Sequence, residues 1–136
     1  TWRGLEQVRG FIVYEDLNGN LFHYQNGVKT QLSNFTSELW DVKDDIVIWS
    51  ENSFIYSFSN KVKVNVCNYM PEDYLLKNNV FAFRNIMGGV SAFVDGKVID
   101  ISYQKDATYE IYGNSVIVQL FNSSFIVLKN GIKYNS

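Results

Sequence analysis

Apolar residues fall along this chain in two kinds of run. One kind is apolar at nearly every position: FIVY from Phe11, DIVIW from Asp45, VFAF from Val80 and SVIVQL from Ser115. The other alternates, as in Val28, Thr30 and Leu32, then Val62, Val64 and Val66, then Lys97, Ile99 and Ile101. A short continuous apolar run predicts a strand buried on both faces, and a period of two predicts a strand with one wet face. LFHY, FIYSF, VSAF and FIVL predict a further strand in each stretch, and SELWDV, EDYLL and TYEIY another. No long 3.6-residue pattern survives, so the expectation is an all-β chain.

The turns between these runs repeat. Asn26-Gly27, Asn60-Lys61, Asp95-Gly96 and Asn130-Gly131 follow one another at intervals of 34, 35 and 35 residues. Asn-Gly and Asp-Gly pairs supply the positive φ of a two-residue hairpin turn. Lys61 takes the glycine place in the second pair, so that turn is expected to be strained or of another type. Two further ladders keep step: Ile12, Ile46, Val80 and Val116, and Val8, Val42, Leu76 and Tyr112, each at 34, 34 and 36. Three ladders in phase predict a fourfold internal repeat. Its units span about 7–42, 43–76, 77–112 and 113–136, with 1–6 completing the last.

Four-stranded antiparallel meanders at this period resemble the blades of a β-propeller. The resemblance covers the whole chain and is architectural. Trp40-Asp41 is not echoed as the Trp-Asp of WD40 repeats, and Gly88-Gly89 is a single case rather than a kelch signature. It implies one domain over 1–136, either a four-bladed ring or four blades of a larger propeller. A β-sandwich would need the periodicity to be coincidental.

Composition narrows the function classes. Aromatic residues make up 16% of the chain and charged residues 19%, with a formal net charge of −2. The basic residues are scattered, which argues against nucleic acid as a partner. No apolar run reaches the ~20 residues of a membrane helix, so membrane insertion is not expected. Cys67 is the only cysteine, which excludes an intrachain disulfide and a cysteine metal site; between Val66 and Tyr69 it reads as a structural thiol. The chain does not begin with Met and reads as a processed product or a piece of something longer. An extracytoplasmic location, periplasmic or secreted, is the expectation.

Candidate chemistry is sparse. His23, the only histidine, cannot make a zinc triad alone and reads as a structural or surface residue. Asp16, Asn18 and Asn20 have the odd-position spacing of calcium ligands, but Gly27 stands where the closing glutamate would be. Neither metal nor cofactor is expected. A glycosidase needs two acids across a pocket, and the apolar runs offer only Glu15 and Glu51 near their ends, so the chain reads as a non-enzyme. Tyr14, Trp49, Phe83, Trp40 and Tyr74 read as blade core, or as an aromatic platform for sugars.

Loops on a rigid scaffold carry binding. In a meander of this kind one rim would hold Arg9, Lys43, Asp44, Asp45, Lys77, Asn78 and Asn114 together with the Asn-Gly turns. The expected function is a binding or scaffold module that presents this rim to a protein partner, as a domain or subunit of a larger assembly. A lectin-like module with a carbohydrate ligand is the alternative.

Overall fold

The structure, a computed structural model, describes residues 4–8 and 10–135. Every regular element among them is a strand. They form four antiparallel meanders: β1 Gly4–Val8, β2 Phe11–Glu15, β3 Leu21–Gln25 and β4 Val28–Ser33; β5 Trp40–Lys43, β6 Ile46–Glu51, β7 Phe54–Ser59 and β8 Val62–Cys67; β9 Tyr74–Lys77, β10 Val80–Arg84, β11 Val90–Val94 and β12 Lys97–Ser102; β13 Thr108–Tyr112, β14 Ser115–Gln119, β15 Phe125–Lys129 and β16 Ile132–Asn135. The all-β, propeller-like expectation holds. The chain divides into two compact units, Thr1–Met70 and Pro71–Ser136, each with two sheets.

The sheets are phased one strand earlier than the repeat units drawn from the sequence. SELWDV, EDYLL and TYEIY close the units expected from the sequence, yet each pairs with the apolar run that follows it, Trp40 with Trp49, Tyr74 with Phe83 and Tyr109 with Val118. Residues 4–6 likewise pair within the first sheet, and the last sheet takes all four strands from 108–135. The reason is local. Val8 faces Phe11, Lys43 faces Ile46, Lys77 faces Val80 and Tyr112 faces Ser115, each across a two-residue turn, the shortest and least entropically costly closure available.

The Asn-Gly turns also form as two-residue hairpins. Asn26-Gly27, Asp95-Gly96 and Asn130-Gly131 have both residues at positive φ, the type I′ geometry. Asn60-Lys61 has the same geometry, with Lys61 at φ 63°, so the second turn keeps the type and carries the strain.

The fourth strand of each meander alternates in sequence but is largely wet. Val28 and Val62 are exposed, whereas Leu32, Val66 and Ile101 are buried. A bulge explains the switch. Register shifts between Leu21 and Phe22, Ile55 and Tyr56, and Val90 and Ser91 leave Leu32, Val66 and Ile101 as the extra residues. The bulge bends the strand end and carries one apolar side chain into the core.

In the first unit the core joins Phe11, Val13, Leu21 and Leu32 of one sheet to Val42, Val47, Trp49 and Phe58 of the other. In the second unit Val80, Ala82, Val90 and Ala92 pack with Ile111, Val116, Val118 and Leu128. Arg84 pins these two sheets with polar bonds: its Nη1 donates to the Ala107 carbonyl at 2.6 Å, and its Nε lies 3.3 Å from Asp73. The Tyr109 hydroxyl donates to the same Asp73 carboxylate.

Two substitutions test these backbone arguments by urea denaturation. Lys61→Gly relieves a left-handed residue costing roughly 1–2 kcal/mol at an entropic cost of roughly 0.5–1 kcal/mol, so stability should rise by about 0.5–1 kcal/mol. A Cβ on Gly89 would stand 1.9 Å from the Ser102 carbonyl oxygen, backbone that cannot step aside. Gly89→Ala should therefore cost about 3 kcal/mol or more.

Candidate functional site

Each meander puts its first-to-second and third-to-fourth turns at the same end, so two-residue turns gather on one edge of every sheet. The residues expected at this rim lie there. Lys43, Asp45, Lys77, Asn78 and Asn114 are exposed, and Asp44 is half-buried at φ 55°. Arg9 lies outside the described residues. In the second unit Asn78 Nδ2 donates to the Gly113 carbonyl at 2.6 Å, tying the β9–β10 turn to the β13–β14 turn that carries Asn114. In the first unit the rim opens into a cleft, lined among the described rim residues by Asp45 and by the Asn60-Lys61 turn.

The cleft lies between the two sheets of the first unit and has a volume of about 340 Å³. Its floor is the His23 imidazole, 4.7 Å from the Phe11 ring and 4.9 Å from the Phe58 ring. Gln25, Asp45, Asn60 and Lys61 stand around the mouth. A smaller recess of about 210 Å³ shares His23, Gln25, Phe58 and Lys61 and extends along Val28 and Thr30. His23 is 8% exposed and makes no hydrogen bond among the described residues. Burial holds its pKa below the ordinary imidazole value, which favours the neutral ring.

Repeat position sets this histidine apart. Three residues before each Asn-Gly-type turn stand His23, Ser57, Ala92 and Val127. The place is small or apolar in three units and carries an imidazole in one. That contrast is visible in the sequence once the four turns are aligned.

Other candidates are taken up by the fold. Trp49 and Phe83 are buried, and Tyr14, Trp40 and Tyr74 are half-buried. Glu51 accepts a hydrogen bond from Trp49 Nε1 at 2.9 Å and pairs with Lys63 at 3.0 Å, while Glu15 is buried at the end of β2. Asp16 accepts from the Asn18 and Asn20 amides and from the Asn20 side chain, and those bonds hold its carboxyl below the usual range. Its oxygens serve the turn. Cys67 donates to the Tyr69 carbonyl at 3.3 Å, and burial pushes its thiol up to about 11. That is the inert structural thiol expected from its neighbours.

The opposite edge of the second unit differs in character. Ile86, Met87, Tyr103 and Phe121 are exposed on its loops. Those loops are fixed: Asn85 Oδ1 accepts from the Gly89 amide at 2.8 Å, and Arg84 Nη1 donates to the Gly88 carbonyl at 3.3 Å. Sequence reasoning gave this edge no weight, because isolated apolar loop residues carry no periodicity.

Residues 5–134 match the 10-bladed beta propeller domain. The early transcription factor 82 kDa subunit of Monkeypox virus is 33% identical in an alignment of 92 residues that covers 65% of this chain and 13% of the relative. The chain thus spans a small part of the curated relatives it matches. Among solved structures, human WBSCR16 is similar with a TM-score of 0.55 at 8% identity, covering 99% of this chain and 52% of that one. A structure of S. cerevisiae Dbp5 bound to Nup159, Gle1, IP6 and ADP gives a TM-score of 0.53 at 12% identity, with 99% and 43% coverage. At these identities the structural likeness speaks to the fold.

His23 makes stability pH-dependent in a known direction. Its folded pKa lies below the unfolded value near 6.5, so the unfolded chain takes up the proton first as pH falls. Stability is full above that value and declines below it, until the pH passes the depressed folded pKa. Urea midpoints followed downward from neutral pH should fall in the wild type. They should stay nearly flat over the same range in His23→Phe, before carboxylates such as Asp16 and Asp100, both held low by hydrogen bonds, begin to titrate.

Proposed function

The chain belongs to the 10-bladed beta propeller domain family, and from that premise we propose that it is a non-enzymatic scaffold module of a larger assembly, with its turn rim presented to a protein partner. One observation carries the reading. Counting back from each turn, Ile12, Tyr14 and Tyr24 of the first sheet stand where Val47, Trp49 and Phe58, then Phe81, Phe83 and Phe93, then Val116, Val118 and Leu128 stand in the others. Those nine residues are buried. In the first sheet the same face is half-open: Tyr24 is 43% exposed, Leu5 41%, and Ile12, Tyr14 and Phe22 are partly covered.

The face borders a hollow of about 540 Å³ floored by Ile12, Tyr14 and Phe22. Within each unit, the equivalent face of the second sheet is covered by the preceding sheet. The occupant that fits the first sheet is therefore another four-stranded sheet of the same repeat, stacked at the usual ~10 Å spacing. Such a sheet would come from the larger assembly, and the turn edge would stay open to partners. The viral relative is named as a subunit, and one similar structure is a protein complex, which agree with an interaction scaffold.

Absence of catalysis is part of the proposal. Glu51, Asp73 and Asp100 are engaged in bonds that hold the sheets, as expected of structural acids. The carbohydrate alternative gains no support, since Trp49 and Phe83 are core residues. The expected extracytoplasmic location likewise finds no support in the relatives.

Light scattering on the native protein tests the reading. The expected particle is heavier than the 15.7 kDa chain and falls to that mass in the double variant Tyr14→Glu/Tyr24→Lys. A wild-type particle of chain mass at every concentration, both purified and in native extract, would sink it.

A further inference from the structure

The cleft at the turn edge of the first unit is chemically specific in a way the scaffold reading does not require. Its floor is aromatic, with Phe11 and Phe58 flanking His23. Its one deeply buried polar group, the His23 imidazole, is more than nine-tenths covered and has no hydrogen-bond partner among the described residues. The ring nitrogens are not sealed, since Ser37 Oγ is the one buried side-chain polar atom without a partner among the described residues, so a ligand group bonded to the imidazole replaces solvent in the cleft for the net value of one hydrogen bond, about 1 kcal/mol. Charges at the mouth cancel, because Asp45 and Lys61 both line it.

We propose that this cleft takes a tyrosine side chain of a protein partner, with the ring over Phe11 and Phe58 and the hydroxyl on the His23 imidazole. The volume of about 340 Å³ lies at the small end for ligand pockets and suits one large side chain rather than an extended ligand. A phenylalanine would cover the aromatic floor and leave the imidazole unpaired. An arginine would gain Asp45 and meet Lys61. The phenol alone combines an apolar ring with a group that both donates and accepts, so it satisfies either imidazole tautomer. Gln25 and Asn60 at the mouth are placed for the backbone amides on either side of the inserted residue. Tyrosine is also among the residues that dominate protein interfaces when seated in a closed pocket. The proposal rests on the partner being a protein, but the cleft can be tested without one.

The test titrates N-acetyl-tyrosine amide, N-acetyl-phenylalanine amide and N-acetyl-arginine amide into the full isotope-labelled chain, following the His23 ring signals and the Asn60 and Lys61 amides by NMR. The tyrosine amide should shift all three and bind at least about fivefold tighter than the phenylalanine amide, the value of one net hydrogen bond. His23→Phe should erase that preference while still binding the phenylalanine amide, which shows that the cleft survives the substitution. No movement of these signals up to the solubility limit of the tyrosine amide, equal affinity for the two ring amides, or tighter binding of the arginine amide would each overturn the proposal. Failure of the scaffold reading looks different: the tyrosine preference persists while the native protein shows no heavier particle. A partner whose affinity is untouched by His23→Phe also overturns the tyrosine assignment and leaves the scaffold standing.

Discussion

Register is the constraint from which the other features of this chain follow. Side chains in a strand alternate with a period of two, so a slip of one residue would send every core residue to the wet face. The type I′ turns hold the register. With both central residues left-handed at Asn26-Gly27, Asn60-Lys61, Asp95-Gly96 and Asn130-Gly131, the strands on either side leave with the right-handed twist of a sheet and no freedom to slide. Tyr24, Phe58, Phe93 and Leu128 then share one face, and His23, Ser57, Ala92 and Val127 the other. The second turn keeps its geometry even though Lys61 must adopt a backbone conformation that L residues resist. Preserving the register outweighs the local strain.

Turns alone would leave the last strand of each sheet a long regular edge open to pairing. The bulges alter that edge. By inserting Leu32, Val66 and Ile101 opposite a break in the ladder, they bend the strand end and bury one apolar residue there, while Val28 and Val62 remain in water. In the third sheet the bend brings the Ser102 carbonyl against Gly89, where no side chain fits. Asn85 closes the same corner by donating from Nδ2 to the Ser102 carbonyl at 3.0 Å and accepting from the Gly89 amide. Bulge, glycine and buried amide form one device.

What the sequence revealed and what it hid divide along the same line. Strand type and turn type are local properties, so FIVY, the Asn-Gly pairs and the period near 35 residues could be read from composition and spacing. Sheet phase was harder, because each run could pair with the strand before it or the strand after, and only the two-residue closures at Asp44-Asp45 and Asn78-Asn79 decide. The bulges were hidden, since Val62, Val64 and Val66 alternate perfectly and only the break in pairing separates exposed Val62 from buried Val66. Which turns share an edge follows from topology, whereas the cleft beside Asp45 does not, because a cleft is a property of two sheets together. Comparing His23 with Ser57, Ala92 and Val127 would have pointed to it.

The cleft has a cause in the packing of twisted sheets. Two such sheets keep full contact only over part of their length and diverge toward the strand ends. In the first unit Val13, Leu21, Val47 and Trp49 are fully buried between the two sheets. Toward the turn edge the sheets separate, and Phe11, Phe58 and His23 retain 6–8% exposure. Two phenylalanines keep this end apolar. An imidazole there covers its neighbours with its faces and leaves its ring nitrogens without a partner. A binding feature thus arises where repeat packing runs out, on a scaffold whose turns and bulges hold the surrounding side chains in place.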